Sequence, residues 1–506
     1  MTENKQQFER KKTRLIWRIF RWIGLTVLIL LLIASVFYQA PWKIITLLAI
    51  VLAACTILPK PYRKWFWLSV GAVIIVLIIW VFLPDDNEDW RPYMFDKELV
   101  ELETKYAISD EQNAAFSYVE IFENLDVDSN QPEFYVYSSP SSKDEPWLSK
   151  DHPETAEWLK GHQDTIEKLI KTAKKDKCLF IPINADLFGY SDNMEDLSKV
   201  RQCAFLLVSV ANNDVAEGRI NAAIEKYFCV IRMANHMYQQ LTMIQHLTGH
   251  GIESLALNRL NRLVIEGRPE LEHFLLIADS MIGIENDWDT YWPRVLDFEK
   301  LYTKNLHGSM FYEINTKGKT RLTRDSVAQW RKQFPQDVPP LTYSQRKLNK
   351  AKTILQWFGS ISSPEEMAEI IDAGFEQYYA MVDPDYDWIK EPEKWNMVSF
   401  ISIGSRRVRF NFKYVIQTLI DMSEESYYNH HELYVKNLAL RRGSRLLVAI
   451  KQYHIEHGTW PDSLDAIKSN VPAEALIDPA TGKDFEYENH GQRFSLFAES
   501  VNIWPK

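Results

Sequence analysis

The sequence has little glycine, little cysteine and no excess of positive charge, and each shortage excludes a class of protein. Its 506 residues include 18 glycines and 22 prolines, too few for a collagen-like or low-complexity chain. The formal net charge of −10 argues against a general nucleic-acid binder. Aromatic residues, in contrast, make up 13% of the chain, which excludes a wholly disordered protein.

Sequence motifs of catalysis and cofactor binding are also missing. The chain contains no G-x-S-x-G nucleophile elbow, no Walker loop, no G-x-G-x-x-G and no C-x-x-C. These absences favour a protein without enzymatic activity, and they leave no catalytic residue, cofactor or metal to predict.

The cysteines do not form a recognisable disulfide framework. Beyond Cys55, only Cys178, Cys203 and Cys229 are present, and an odd number cannot pair completely. Cys203 and Cys229 would lie roughly level if two helices formed a hairpin near Gly218. A bond between them and two separate buried thiols are both open, and the thiols are favoured.

Three stretches without a charged residue predict transmembrane helices at residues 22–42, 44–59 and 65–84. About 20 apolar residues cross the hydrocarbon core of a bilayer, and Lys43 and Lys60 could extend the short second stretch by snorkelling. A re-entrant second segment is the alternative, and it would put both chain ends on one side. A cleaved signal peptide fits less well because it has a single apolar core.

Basic residues determine the predicted orientation. Residues 1–84 contain eleven Lys/Arg and two Asp/Glu, whereas the remainder of the chain has a net charge of −19. The basic clusters lie before the first span and between the second and third, and Lys/Arg bias marks the cytoplasmic side. The sequence therefore predicts a multi-pass protein of the inner (cytoplasmic) membrane, with a cytoplasmic N-terminus, an extracytoplasmic, periplasmic ectodomain and the lipid bilayer as a partner.

The remainder of the chain predicts mainly helical structure. Apolar residues recur at helical spacing through residues 194–286, with Gly218 as a turn, and consecutive long helices pack as antiparallel hairpins. Near the end, a helix stopping at Gly458 precedes a β-hairpin around Asn489–Gly491. The predicted fold class is mainly α, with three N-terminal transmembrane helices in residues 1–84, an α-helical bundle or solenoid ectodomain in 85–435 and a small C-terminal α+β unit in 436–506.

The C-terminal segment resembles the globular part of the major pseudopilin of type II secretion. The matching residues are Tyr453, His457, Gly458, Pro461, Leu464, Asp478, Pro479, Gly482, Tyr487 and Phe494. That family binds calcium through acidic residues near its C-terminus, but this chain ends without a matching acidic loop, so the resemblance implies no calcium site. The N-terminal processing motif of pseudopilins is absent as well, so filament assembly is not implied.

Most of residues 90–500 is similar to a family of uncharacterised bacterial membrane-anchored helical proteins. The matching pieces are Asn113–Ala115, His152–Pro153 with Trp158–Leu159, Cys178–Pro182, Gly218–Ala222 and His246–Leu247, followed by the pseudopilin-like tail. The resemblance implies an architecture and no activity, substrate or cofactor.

Two groups of histidines are candidate metal ligands. His246 and His250 are four residues apart, so on a helix they share a face with Glu253, and such a face could hold zinc. The run His430–Glu432 is the second group. No H-E-x-x-H motif is present, so structural or surface histidines are the favoured interpretation of the first group. A solvated helix start is the favoured interpretation of the second.

Aromatic and basic stretches suggest binding surfaces. Tyr378, Tyr379, Tyr386 and Trp388 could form a sugar-binding surface, although packing is the favoured use. The basic stretch Lys317–Lys332 could contact phosphate head groups or anionic glycans, but a solvated face is favoured. Many carboxylates could form a glycosidase pair, and the sequence alone selects none.

Together these observations predict a binding or scaffold module of the cell envelope, whose partner is an envelope protein rather than nucleic acid. An envelope hydrolase with an unrecognised carboxylate or metal site is the first alternative. A secretion or transport accessory, suggested only by the pseudopilin-like tail, is the second.

Overall fold

The computed structural model describes residues 90–125, 131–136, 141–180, 190–267, 269–283, 288–322, 363–382 and 424–504, together with Leu68 and Ala72. The chain divides into two compact units, each assembled from separate stretches of sequence. The first comprises Met1–Phe95, Lys300–Gln377 and Glu391–Glu424, and the second comprises Asp96–Glu299, Tyr378–Lys390 and Glu425–Lys506.

The described residues are mainly helical, as the sequence predicts. In chain order their α-helices are α1 (Asp96–Tyr106), α2 (Ala115–Glu123), α3 (Glu133–Val136), α4 (Pro153–Lys160), α5 (Gln163–Thr172), α6 (Tyr190–Ala216), α7 (Ile220–Tyr238), α8 (Met243–Glu266), α9 (Leu271–Met281), α10 (Trp288–Phe311), α11 (Pro364–Tyr379) and α12 (Glu424–His457). The strands are β1 (Arg91–Pro92), β2 (Tyr312–Ile314), β3 (Thr320–Leu322), β4 (Glu486–Asn489), β5 (Phe494–Ala498) and β6 (Val501–Trp504).

Helix α7 lies at the centre of the second unit and packs against both α6 and α8. The chain turns from α6 into α7 at Gly218, whose φ of +78° suits glycine best. The Lys226 ammonium then reaches Asp214 at 2.8 Å, so the two helices run antiparallel. Ala204 and Ile224 are among the apolar residues buried from the two helices. The predicted hairpin is confirmed.

The C-terminal part of the second unit is the predicted small α+β structure. Helix α12 ends at Gly458, where φ is +74°, and two 3-10 turns follow at Leu464–Ile467 and Ala473–Leu476. Strands β4, β5 and β6 form an antiparallel sheet in that order, which confirms the predicted hairpin. The sheet packs closely on α12, because a Cβ added to Gly443 would lie 2.6 Å from the Ile503 side chain.

The described part of the first unit contains a smaller antiparallel sheet in the order β1-β2-β3. The Asn315 side chain closes the turn between β2 and β3 by accepting hydrogen bonds from the backbone N–H groups of Lys317 and Lys319, at 3.0 and 2.9 Å. Lys304 at the end of α10 forms an ion pair of 2.8 Å with Asp372 of α11, which joins these two elements.

The membrane prediction requires a correction. The predicted spans at residues 22–42, 44–59 and 65–84 lie outside the described residues, apart from Leu68 and Ala72. Within the ranges given above, no helix is both long and apolar enough to cross a bilayer. Helix α7, for example, carries Glu225, Lys226 and Arg232 among its apolar residues. On this finding the fold class with three transmembrane helices and the multi-pass inner-membrane location are wrong, and the fold is mainly helical with a small sheet unit.

Candidate functional site

Six buried polar side chains form a row between α8 and α12 in the second unit, and we call this row the polar seam. It consists of His246, His250 and Glu253 on α8, and of His430, Asn437 and Arg441 on α12. His246 contacts His430 and Glu253 contacts Arg441, so the two helices run in the same direction. Each of the six is at most 7% exposed, and buried polar groups need partners within the protein.

An ion pair between Glu253 and Arg441 anchors one end of the seam. The Arg441 Nε donates to Glu253 Oε1 at 2.9 Å, and Nη2 contacts the same oxygen. The Tyr238 hydroxyl donates to Glu253 Oε2 at 2.6 Å. Burial by itself lowers the pKa of Arg441, but the Glu253 carboxylate and its hydrogen bonds raise the pKa above the ordinary value. The Arg441 guanidinium is therefore charged at neutral pH.

Asn437 connects this ion pair to His250 in the middle of the seam. Its Nδ2 donates to the His250 carbonyl oxygen at 2.9 Å and lies 3.3 Å from Glu253 Oε2, while its Oδ1 accepts from the Ser254 hydroxyl at 2.6 Å. His250 Nδ1 lies 3.1 Å from the Tyr238 oxygen. We assign the proton of this contact to His250, because the Tyr238 hydroxyl proton points to the carboxylate.

His430 lies at the other end of the seam and has the least satisfied side chain of the six. It is 1% exposed, and neither ring nitrogen has a hydrogen-bond partner. Its ring centroid lies 5.5 Å from that of His246 and 5.3 Å from that of His250. Trp292 stacks on it at 5.3 Å. The imidazole is therefore packed as an aromatic ring among other rings.

Burial keeps all three histidines uncharged at neutral pH. It lowers the pKa of His246 to about 4 and that of His250 to about 3. Burial also lowers the pKa of His430 well below its ordinary value, and the neighbouring His246 and His250 add to this effect. Three neutral imidazoles in contact need no counter-ion.

The structure unites the two histidine groups that the sequence presented separately, but it does not arrange them as a metal centre. His246 and His250 share a buried face with Glu253, as predicted, and His430 faces them from α12. Glu253 is already bound by Arg441. Across the described ranges, no three His, Cys, Asp or Glu side chains are placed to hold a metal ion. The predicted solvated helix start at His430–Glu432 is wrong, because α12 begins at Glu424 and His430 is buried, although Glu432 is exposed.

The predicted sugar-binding aromatics occupy different environments. Tyr378 is fully buried, with its ring 4.5 Å from that of Tyr427, so its use in packing is confirmed. The Tyr379 hydroxyl donates to Asp297, which also accepts from the Tyr106 hydroxyl at 2.6 Å. Tyr386 and Trp388 lie outside the described residues.

The three cysteines in the second unit are free, buried thiols. This is the outcome favoured from the sequence for Cys203 and Cys229. Burial raises the pKa of Cys229 to about 12 and raises the pKa of Cys203 and Cys178 as well. These thiols are therefore protonated and poor nucleophiles at neutral pH.

The basic stretch 317–332 is described only in part. Lys317 and Lys319 are exposed in the turn between β2 and β3, as a solvated face requires. Residues 323–332 lie outside the described ranges.

A cleft of about 330 Å³ opens between α6, α7 and α8. Its guanidinium groups already bind acidic partners: Arg259 lies 3.3 Å from Asp144, and Arg262 lies 2.6 Å from Glu266. The Tyr227 hydroxyl donates to Asn212 at 2.7 Å. These groups satisfy one another, so the cleft does not call for a charged ligand.

Helix α9 exposes a row of apolar side chains, which we call the α9 stripe. Its members are Leu271, Leu275, Ala278 and Ile282. The three large side chains are 47%, 56% and 74% exposed, respectively. Leu271, Leu275 and Ala278 are spaced by four and three residues and lie on one side of the helix, and Ile282 follows as the residue that caps its C-terminal end. Single exposed apolar residues are common on proteins, whereas an aligned row of them is less usual.

This surface was not predicted from the sequence, because α9 is apolar on two sides and the sequence does not show which of them is buried. Phe274, Ile277 and Met281 are buried against the second unit, while the stripe lies about 100° away around the helix. Within the described part of the chain, the second apolar side of α9 stays exposed. The signal was present in the sequence, as an apolar run too broad for one buried face.

Comparison of the chain with protein-family models, with curated proteins and with solved structures gives no match. The resemblance of the tail to the major pseudopilin and that of the helical region to membrane-anchored proteins therefore stay predictions.

Proposed function

We propose that the protein acts by binding another protein, as a scaffold or interaction module, and that the α9 stripe is the binding surface. The exposed row of Leu271, Leu275 and Ile282 is the observation that carries this proposal. Burying a large aliphatic side chain contributes roughly 1.5–3 kcal/mol. Leu271 and Leu275 are each about half exposed, so about half of that free energy is still available when a partner covers them.

The stripe is held on a well-anchored helix, which favours a preformed binding surface. Phe274 and Ile277 of α9 are fully buried. At the end of the helix, the Arg445 Nη2 of α12 donates to the Met281 carbonyl oxygen at 2.8 Å. A surface fixed in this way loses little conformational entropy on binding.

The hydrolase alternative has less support in the described residues. Its strongest candidate groups, the seam histidines with Glu253, are buried, and the carboxylate is bound to Arg441 and Tyr238. Asp297 is similarly held by Lys105 and by tyrosine hydroxyls. A general acid or base needs access to substrate, which these buried groups lack.

Site-specific photo-crosslinking in the native host tests the proposal. A benzophenone amino acid at position 275 is expected to give one major protein adduct, and Ile282→Glu in the same chain should remove it. Val100 of α1, which is 58% exposed outside the stripe, is the matched control position. Equal adducts at positions 275 and 100, or none at 275, would show that the stripe is not the binding surface.

A further inference from the structure

The charges beside the α9 stripe carry information about what it binds. Glu272 and Asp279 are exposed and seven residues apart, so they lie on the same side of the stripe. Helix α9 contains no lysine or arginine that could neutralise them. The exposed charged residues of α9 beside the stripe are therefore both acidic, and the exposed Leu276 lies beyond them.

The stripe also has the geometry that recognises a helix. Residues spaced by four, three and four positions form the apolar seam of a two-helix contact, in which charged residues beside the seam select the partner. A helix laid along the stripe would have its own flanking residues next to Glu272 and Asp279. The spacing of seven residues between these acids matches two turns of such a helix.

A second copy of this chain is a poor occupant of the stripe. In an antiparallel pair of α9 helices, Glu272 would face Asp279 of the other copy. A parallel pair would need the positions of Phe274 and Met281 as its other border, and these side chains are buried in the second unit. Like charges placed beside a helix contact destabilise it. The charge pattern instead requires a partner of opposite sign.

We infer that the α9 stripe binds an amphipathic helix of another protein, whose apolar side is bordered by lysine or arginine residues seven positions apart. This inference rests on the proposed function, because it uses the same surface. It adds the conformation of the partner and the sign of its charge.

Two synthetic peptides test the inference against the full-length chain. Both are 18-residue helices with leucines at heptad spacing, and their flanking positions seven apart carry lysine in one and glutamate in the other. Fluorescence anisotropy is expected to show about 4- to 30-fold tighter binding of the lysine peptide, since two attractive pairs replace two repulsive ones. The difference should shrink as salt is added.

Variants assign the effect to named residues. Glu272→Lys/Asp279→Lys should reverse the preference in favour of the glutamate peptide. The control Glu101→Lys/Glu123→Lys makes the same change of net charge at exposed acids on α1 and α2, and it should leave the preference unchanged. Leu275→Glu should weaken the binding of both peptides. Because Leu275 is 56% exposed, this change leaves the core intact.

The outcomes separate this inference from the proposed function. Equal binding of both peptides that Leu275→Glu removes would overturn the charge selection and leave the stripe as a binding surface. Failure of both peptides to bind would overturn the helical partner, and the photo-crosslink at position 275 would then decide the proposed function alone. Self-association that Leu275→Glu abolishes in sedimentation would assign the stripe to a second copy.

Discussion

At the scale of single residues, the polar seam combines a satisfied charge pair with an unsatisfied ring. Glu253 accepts hydrogen bonds from Arg441 and Tyr238, whereas both nitrogens of His430 lack a partner. The two ends of the seam should therefore respond to mutation in opposite ways. Loss of a charge partner leaves a buried charge, while loss of the unpartnered imidazole removes a desolvated polar group.

Replacing Arg441 by methionine should strongly destabilise the second unit. The substitution leaves the Glu253 carboxylate buried without its cation, and breaking a buried ion pair in this way costs about 3–5 kcal/mol. Urea denaturation followed by circular dichroism measures the loss. The double variant Glu253→Gln/Arg441→Met should recover a large part of it, because no buried charge remains. If the double variant were as unstable as the single one, packing rather than charge would explain the result.

Replacing His430 by phenylalanine should preserve stability at pH 7 and improve it in acid. Burial lowers the pKa of His250 to about 3 and that of His246 to about 4 and lowers the pKa of His430 further, so the unfolded chain binds more protons than the folded one below an ordinary pKa near 6.5. Stability then falls as the pH drops from about 6.5 toward 4, by about 1.4 kcal/mol per pH unit for each histidine.

Thermal unfolding at several pH values between 7 and 4 checks this expectation. His430→Phe should show a shallower loss in acid than the natural chain, since it removes one of the three titrating groups. His457→Phe changes an exposed histidine of the same helix and should leave the pH profile as it was. Identical acid profiles for all three proteins would contradict the assignment of buried neutral imidazoles.

At the scale of elements, two glycines inside helices differ in the space around them. A Cβ on Gly443 of α12 would lie 2.6 Å from Ile503 of β6, whereas a Cβ on Gly251 of α8 would meet nothing within 4 Å. Gly443→Ala should therefore destabilise the contact between helix and sheet by about 1–3 kcal/mol through overpacking. Gly251→Ala should stabilise the chain by about 0.5–1 kcal/mol, because alanine is the better helix former.

Differential scanning calorimetry of the two alanine variants measures both changes. In an Ile503→Ala background, Gly443→Ala should cost less than in the natural chain, because space for the new methyl group is already there. A neutral Gly443→Ala variant would show that the sheet can move away from α12 without cost.

The elements also show which features the sequence could predict. The hairpin at Gly218 and the helix end at Gly458 were predictable, because a glycine with positive φ is a local signal. The approach of His430 to His246 was not, because 183 residues separate the two and no periodicity reports a contact across that distance. The apolar residues of the α9 stripe are visible in the sequence, but only the structure shows which apolar side of α9 is buried and which is exposed.

At the scale of the whole molecule, buried thiols report on opening of the second unit. Cys178, Cys203 and Cys229 are free and fully buried. A maleimide reagent at pH 7.5 should leave all three unlabelled in the folded protein and label all three in denaturant, as read by peptide mass spectrometry. Labelling of one thiol in the native protein would reveal a local opening, and a crosslinked Cys203–Cys229 peptide would contradict the free thiols.

The pairing of Glu253 with Arg441 has a consequence for biosynthesis. The two residues are 188 positions apart, and ribosomes add about 5–20 residues per second, so roughly 10–40 s pass between the two codons. Throughout that interval the nascent chain carries a carboxylate whose cation has not yet been translated. The Glu253 carboxylate of α8 therefore stays hydrated until α12 emerges from the exit tunnel. We expect ribosome-associated chaperones to bind the nascent chain during this interval.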